Sequence, residues 1–144
     1  MLTSINHTAI SVSDMERSLA FYRDVLGMKV AMDVEAKTEK LGLIVGLPGA
    51  RTRIVMLEAG NQRIELFQYR EPLGKPMEDG RRQCDNGLTH IAFNVTDMDV
   101  LCQKLREEGV RFYSEPQVLG GEMKVVYFKD PDGVTLELME NLKE

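Results

Sequence analysis

Short apolar-rich runs separated by turn residues set the rhythm of the chain. Arg53-Ile54-Val55-Met56-Leu57 and Arg63-Ile64-Glu65-Leu66-Phe67 flank Ala59-Gly60-Asn61-Gln62, and Lys124-Val125-Val126-Tyr127-Phe128 and Val134-Thr135-Leu136-Glu137-Leu138 flank Asp130-Pro131-Asp132-Gly133. Both patterns predict β-hairpins, because the intervening residues tolerate the backbone angles that tight turns need. Two helical patterns precede them. One starts at a Ser13/Glu16 capping box, carries Leu19, Tyr22 and Leu26, and stops at Gly27; the other starts at Thr96, carries Val100, Leu101 and Leu105, and stops at Gly109.

These elements repeat. His7-Thr8-Ala9-Ile10-Ser11-Val12-Ser13-Asp14-Met15-Glu16 lies over His90-Ile91-Ala92-Phe93-Asn94-Val95-Thr96-Asp97-Met98-Asp99, identical at His, Ala, Val, Asp and Met. Extended stretches expected near Met28–Val34 and Arg111–Ser114 complete a β-α-β-β-β order in each copy. The copies diverge between residues 35 and 50, where Lys40 to Gly49 has no counterpart and its secondary structure stays open. The Gly-, Pro- and Arg-rich segment from Glu71 to Gly87 reads as a linker between modules, able to move over a site.

Composition narrows the class. With 144 residues, 43% hydrophobic and 28% charged, the chain has the profile of one globular domain with a sizeable core that does not depend on a metal to fold. A formal charge of -5 with scattered basic residues argues against nucleic acid and anionic membrane as partners. No apolar run approaches the roughly 18 residues of a membrane span, and residues 1–6 lack the features of a signal peptide, so a cytoplasmic location is the expectation. Cys84 and Cys102 have no framework spacing and read as free thiols, the first exposed and the second packed. The nine methionines read as core filling, Arg81-Arg82 as a solvated pair, and Phe67, Phe93, Tyr127 and Phe128 as core, with Phe67 the one to share a pocket face.

The candidate chemistry rests on four residues. His7 and His90, the chain's two histidines, occupy matched positions in the two copies, as do Glu65 and Glu137. Strand alternation turns each glutamate to the face opposite its apolar neighbours. On a solvent-facing sheet that is unremarkable surface polarity. On the inner face of a curved sheet, carboxylates and imidazoles need a partner, and a divalent metal supplies it. The fourfold match favours the second reading, with a mixed N/O set suited to Ni, Co, Zn, Fe(II) or Mn.

Several motifs together resemble a known family: His-x-Ala at the first strand, Ser-Asp-Met-Glu-Arg-Ser-Leu-Ala-Phe-Tyr-Arg-Asp-Val-Leu-Gly in the first helix, Gly-Leu-Thr-His-Ile-Ala-Phe, and the closing Phe-Lys-Asp-Pro-Asp-Gly-Val-Thr-Leu-Glu-Leu. The chain resembles the vicinal oxygen chelate superfamily of glyoxalases, bleomycin-resistance proteins and extradiol dioxygenases over nearly its whole length. The resemblance implies an α+β fold in which two tandem βαβββ modules form a cupped eight-stranded mixed sheet. It implies one domain over residues 1–144, with module one at 1–70, a linker at 71–87 and module two at 88–144. It also implies a homodimer, a small-molecule substrate, and a divalent metal held by His7, Glu65, His90 and Glu137.

A four-ligand set is similar to those of glyoxalase I and methylmalonyl-CoA epimerase. The first implies a lyase or isomerase moving a proton through a metal-stabilised enediolate, with Glu137, or else Glu65, as base. Ser11 and Tyr69 stand where glyoxalase I carries an arginine and an asparagine, so the glutathione-recognising positions differ. Val45 or its apolar neighbours stand where the epimerase carries its glutamate base. An extradiol-type dioxygenase needs only His7, His90 and Glu137, leaving Glu65 without a task. A metal-free drug-binding protein of the same fold needs an aromatic groove, and this chain has no Trp and 6% aromatics.

Overall fold

A computed structural model describes residues 1–143. Residues 1–76 form one compact unit and residues from Met77 onward a second.

In the first unit, β1 (Thr8–Ser11) leads into α1 (Met15–Leu19), which winds on as a π-helical segment, Ala20–Val25. Gly27, at φ 76°, ends it, and β2 (Lys29–Ala36), α2 (Glu39–Val45), β3 (Arg51–Ala59) and β4 (Gln62–Glu71) follow. The sheet order is β1-β4-β3-β2, with β1 parallel to β4 and the other pairs antiparallel. The second unit repeats this: β5 (Ile91–Asn94), α3 (Met98–Glu107), β6 (Gln117–Leu119), β7 (Met123–Lys129) and β8 (Thr135–Asn141), in the order β5-β8-β7-β6. The α+β class and the twofold βαβββ repeat are therefore as expected, realised as two four-stranded mixed sheets.

Alternation decides which face of each sheet is buried. Ile64 and Leu66 on β4, and Leu136 and Leu138 on β8, are buried. α1 packs on β4 and α3 on β8. Gln68 and Glu140, on the same strand faces as these leucines, reach the helix starts: Met15 N–H donates to Gln68 Oε1 at 3.2 Å and Met98 N–H to Glu140 Oε1 at 3.1 Å. Each helix thus has its first backbone donor satisfied by a side chain from the neighbouring sheet, which sequence spacing does not reveal. Glu65 and Glu137 are turned to the other face by the same alternation.

Four local expectations need correction. The N-caps are Asp14 and Asp97, one residue later than Ser13 and Thr96. The Asp14 side chain accepts from Arg17 N–H, while Ser13 accepts from the Arg17 guanidinium and Glu16 from Arg53. Asp97 caps in the left-handed region, φ 54°, without a side-chain bond. The second strand of module two is Gln117–Leu119, whereas Arg111–Ser114 contributes only a bridge from Phe112 to Phe128. Of the four aromatics read as core, only Phe128 is buried; Phe67, Phe93 and Tyr127 are half-buried. His7 and His90 each sit one residue before their strand. Cys102 is buried and Cys84 exposed, as expected.

The open segment between residues 35 and 50 holds α2, capped by Thr38 Oγ1 accepting from Leu41 N–H at 3.1 Å and closed by Gly46 at φ 70°. Leu47 N–H then returns to the Gly42 carbonyl at 2.8 Å, folding the chain back over that glycine. A Cβ at Gly42 would stand 2.9 Å from the Leu47 carbonyl oxygen and 3.2 Å from Gly49 N, both backbone atoms. Helix propensity favours alanine there by about 1 kcal/mol, but the clash opposes it with more. Gly42→Ala is expected to lower stability by about 1–3 kcal/mol in urea unfolding, and an unchanged or higher midpoint would mean that the turn after α2 yields freely.

Candidate metal centre

The structure joins the four predicted residues two by two, once in each module. His7 Nε2 lies 3.0 Å from Glu65 Oε2, and His90 Nε2 lies 3.1 Å from Glu137 Oε2. The same register produces both pairs: Ala9 stands opposite Glu65 on the parallel β1/β4 ladder, and Ala92 opposite Glu137 on β5/β8. The glutamate side chains are 14% and 11% exposed and the histidines 35% and 30%, so the carboxylates are held within the sheet surface while the rings stay accessible. Among the described residues no three His, Cys, Asp or Glu side chains gather as a donor set.

Second contacts orient the rings. His7 Nδ1 is 2.8 Å from Asn6 Oδ1, and His90 Nδ1 is 2.9 Å from Thr89 Oγ1. With Nδ1 donating to the Asn6 oxygen, the singly protonated tautomer turns an Nε2 lone pair towards the carboxylate oxygen. Two lone pairs at 3.0 Å repel unless a proton or a cation lies between them. The donor chemistry of each pair, one imidazole nitrogen beside one carboxylate oxygen, suits a divalent cation as a partner. Nδ1 contacts of this kind also fix the tautomer that a metal-binding imidazole needs.

Module two carries polar groups that module one lacks. Tyr127 stands directly across the β7/β8 ladder from Glu137, whereas Met56 holds the matching place opposite Glu65. The Tyr127 hydroxyl is 3.4 Å from His90 Nε2, with ring centroids 4.8 Å apart. Burial, with the Glu137 charge adding to it, pushes its phenol above the ordinary tyrosine range. Tyr127 thus remains a neutral donor beside Glu137. Beyond it, the Tyr113 hydroxyl is 3.0 Å from Thr135 Oγ1, which accepts from Gln83 Nε2 at 3.1 Å. Sequence reasoning placed Tyr127 in the core and gave Tyr113, Thr135 and Gln83 no role. Counting evenly back from the Asp130–Gly133 turn would set Tyr127 opposite Leu136; the bond from Asp130 N–H to the Val134 carbonyl shifts the register by one and brings Tyr127 to Glu137, so neither that pairing nor Gln83, from the linker, could be read from the turn.

With this geometry established, comparison with known proteins decides the family. Residues 4–138 match the model of the Glyoxalase/Bleomycin resistance protein/Dioxygenase superfamily. The chain belongs to that superfamily. It is 31% identical to a mitochondrial methylmalonyl-CoA epimerase of Bos taurus over 143 residues, covering 95% of this chain and 74% of that protein. It is 30% identical to a lactoylglutathione lyase of Salmonella typhimurium over 136 residues, covering 93% and 90%. A crystal structure of a glyoxalase family protein from Bacillus cereus superposes with a TM-score of 0.92 at 21% identity, covering 99% of this chain and 96% of that one, which shows the shared fold. Enzymes of two reaction types therefore stand at similar distance, both of them lyases or epimerases.

Proposed function

We propose that this superfamily member is a divalent-metal-dependent isomerase or lyase of glyoxalase I type, acting on a small carbonyl compound. The observation that carries the reading is the matched His–Glu pairing: the same two residue types, at the same register and the same separation, on both modules. His7, Glu65, His90 and Glu137 are the proposed ligands, for Ni, Co, Zn, Fe or Mn. We take the two modules to act as one functional domain, in a cytoplasmic homodimer. Dimerisation is supported by exposed Val30, Met32 and Val34 on β2, an edge strand whose unpaired backbone invites cover.

The chemistry that a bound divalent ion supplies is polarisation of the substrate carbonyl and stabilisation of the charge developing on its oxygen. The protein's part is to hold and move a proton. Glu137 Oε2 takes it from the carbon next to the carbonyl and returns it, and Glu65 is the alternative base. Tyr127 sets Glu137 apart, because it stands across the ladder with its hydroxyl 3.4 Å from the imidazole paired with that carboxylate, while Met56 stands opposite Glu65. Thr89 and Asn6 keep the imidazoles aimed.

Elemental analysis of protein purified without an affinity tag tests the site. About one equivalent of a transition metal is expected, lost in a His7→Ala, His90→Ala double variant. Wild type that stays metal-free after incubation with Ni, Co, Zn, Mn and anaerobic Fe(II) sinks the reading. The loaded protein is then assayed with 2-oxoaldehyde thiol adducts, acyl-CoA esters and catechols, turnover of the first supporting glyoxalase-type chemistry and of the second the epimerase reading that the 31% identical relative favours.

A further inference from the structure

The twofold match between modules, already broken where Met56 and Tyr127 face the two glutamates, breaks again one residue pair further along the same sheet face. In module one the positions two residues towards the hairpin turn are Glu58 and Arg63, which face each other and form a salt bridge at 2.9 Å. In module two the same positions are Lys129 and Thr135. Lys129 Nζ reaches the Gly133 carbonyl at 3.4 Å and sits 5.6 Å from the centre of the Tyr113 ring, and among the described residues no carboxylate forms a salt bridge with it. A self-neutralised pair in one module is replaced in the other by a lysine that forms no salt bridge among the described residues.

The hydrogen bonds around Lys129 have a direction. Thr135 Oγ1 accepts from the Gln83 amide N–H and stands 3.0 Å from the Tyr113 hydroxyl, where either oxygen can donate. With Thr135 as the donor, the Tyr113 proton points outward, and that residue is 48% exposed. That phenol is held below the ordinary tyrosine range, chiefly by the bond from Thr135 and with Lys129 and Gln83 contributing, as expected of an oxygen that receives protons from behind. A half-buried ammonium over the ring of an exposed phenol places two donors together, of the kind a carboxylate accepts. Thr135 lies two residues along β8 from Glu137, about 7 Å, which a short substrate chain spans.

We infer that Lys129 and Tyr113, the latter aligned by Thr135 and Gln83, form a subsite for a second, anionic group of the substrate, a carboxylate set a few carbons from the reacting carbonyl. The inference rests on the functional reading above and narrows its substrate class from small carbonyl compounds to anionic ones. Lys129 and Tyr113 are specificity residues here, and Gln83 a positioning residue through which the linker joins the site.

The test compares two probes that differ only at the far end, 2-oxoglutarate and 2-oxovalerate, by titration calorimetry on the purified full-length protein whose metal content has been measured. Wild type is expected to prefer 2-oxoglutarate on the order of tenfold at about 0.1 M salt. Lys129→Met is expected to abolish the preference while leaving 2-oxovalerate affinity unchanged, and Tyr113→Phe, which removes one oxygen and keeps the ring, to reduce it. A wild-type preference within a factor of about two, or one that persists in Lys129→Met, overturns the subsite. Protein that keeps its metal and binds no 2-oxoglutarate also overturns it and leaves the metal-centre reading standing. Loss of both metal and 2-oxoglutarate binding overturns the two together.

Discussion

Glu137→Gln is expected to slow proton transfer by about 10²- to 10⁴-fold, while Glu65→Gln loses less. Both substitutions keep the size of the side chain and an oxygen that can still face the neighbouring imidazole, but an amide cannot take up a proton at neutral pH. What separates the two positions is their surroundings. Glu137 has Tyr127 across the ladder and is 11% exposed, and Glu65 has Met56 and is 14% exposed. The measurement is turnover by both variants of whichever carbonyl substrate the wild type accepts, with metal content determined on the same samples. Equal losses with metal retained would mean that the carboxylates share the work. Full activity in Glu65→Gln, together with dioxygen uptake on catechols, would favour the two-histidine, one-carboxylate dioxygenase reading.

The parts of the site legible in the sequence are those that local rules determine. His7, His90, Glu65 and Glu137 stood out because the chain has two histidines, both at repeated positions, and because strand alternation alone fixes which way the glutamates turn. Everything that depends on how one element meets another was hidden. Gln68 and Glu140 cap helices distant in sequence, and Gln83 reaches Thr135 from a stretch with neither helix nor strand. α2 left no clear pattern, although Thr38 and Gly46 mark its ends, since Leu43 and Ile44 are exposed and no apolar stripe runs along it. The Arg111–Ser114 expectation was half met: Tyr113 N–H bonds the Tyr127 carbonyl and Lys129 N–H the Arg111 carbonyl, but regular pairing with β7 resumes only at Gln117.

Leu66→Ala and Leu138→Ala are each expected to cost about 2–5 kcal/mol, the largest stability losses among single substitutions away from the site. Both leucines have no exposed surface and occupy equivalent places, one residue beyond Glu65 and Glu137 on the faces that the helices cover. Leu66 faces Val55, Leu138 faces Val126, and the parallel ladders add Ile10 and Phe93. Truncation leaves a cavity that the flanking strands cannot close without disturbing the hydrogen-bonded ladder. The ion pairs offer an instructive contrast. Arg53 bonds both Asp33 and Glu16, at 2.8 and 2.5 Å, yet Glu16 is 71% exposed, and surface pairs are worth about 0–1 kcal/mol each. Arg53→Met should therefore shift the urea midpoint by a fraction of what either leucine substitution does. If it shifts the midpoint as much as Leu66→Ala, the edge strand β2 depends on that charged bridge, and the apolar layer under α1 contributes less than its burial implies.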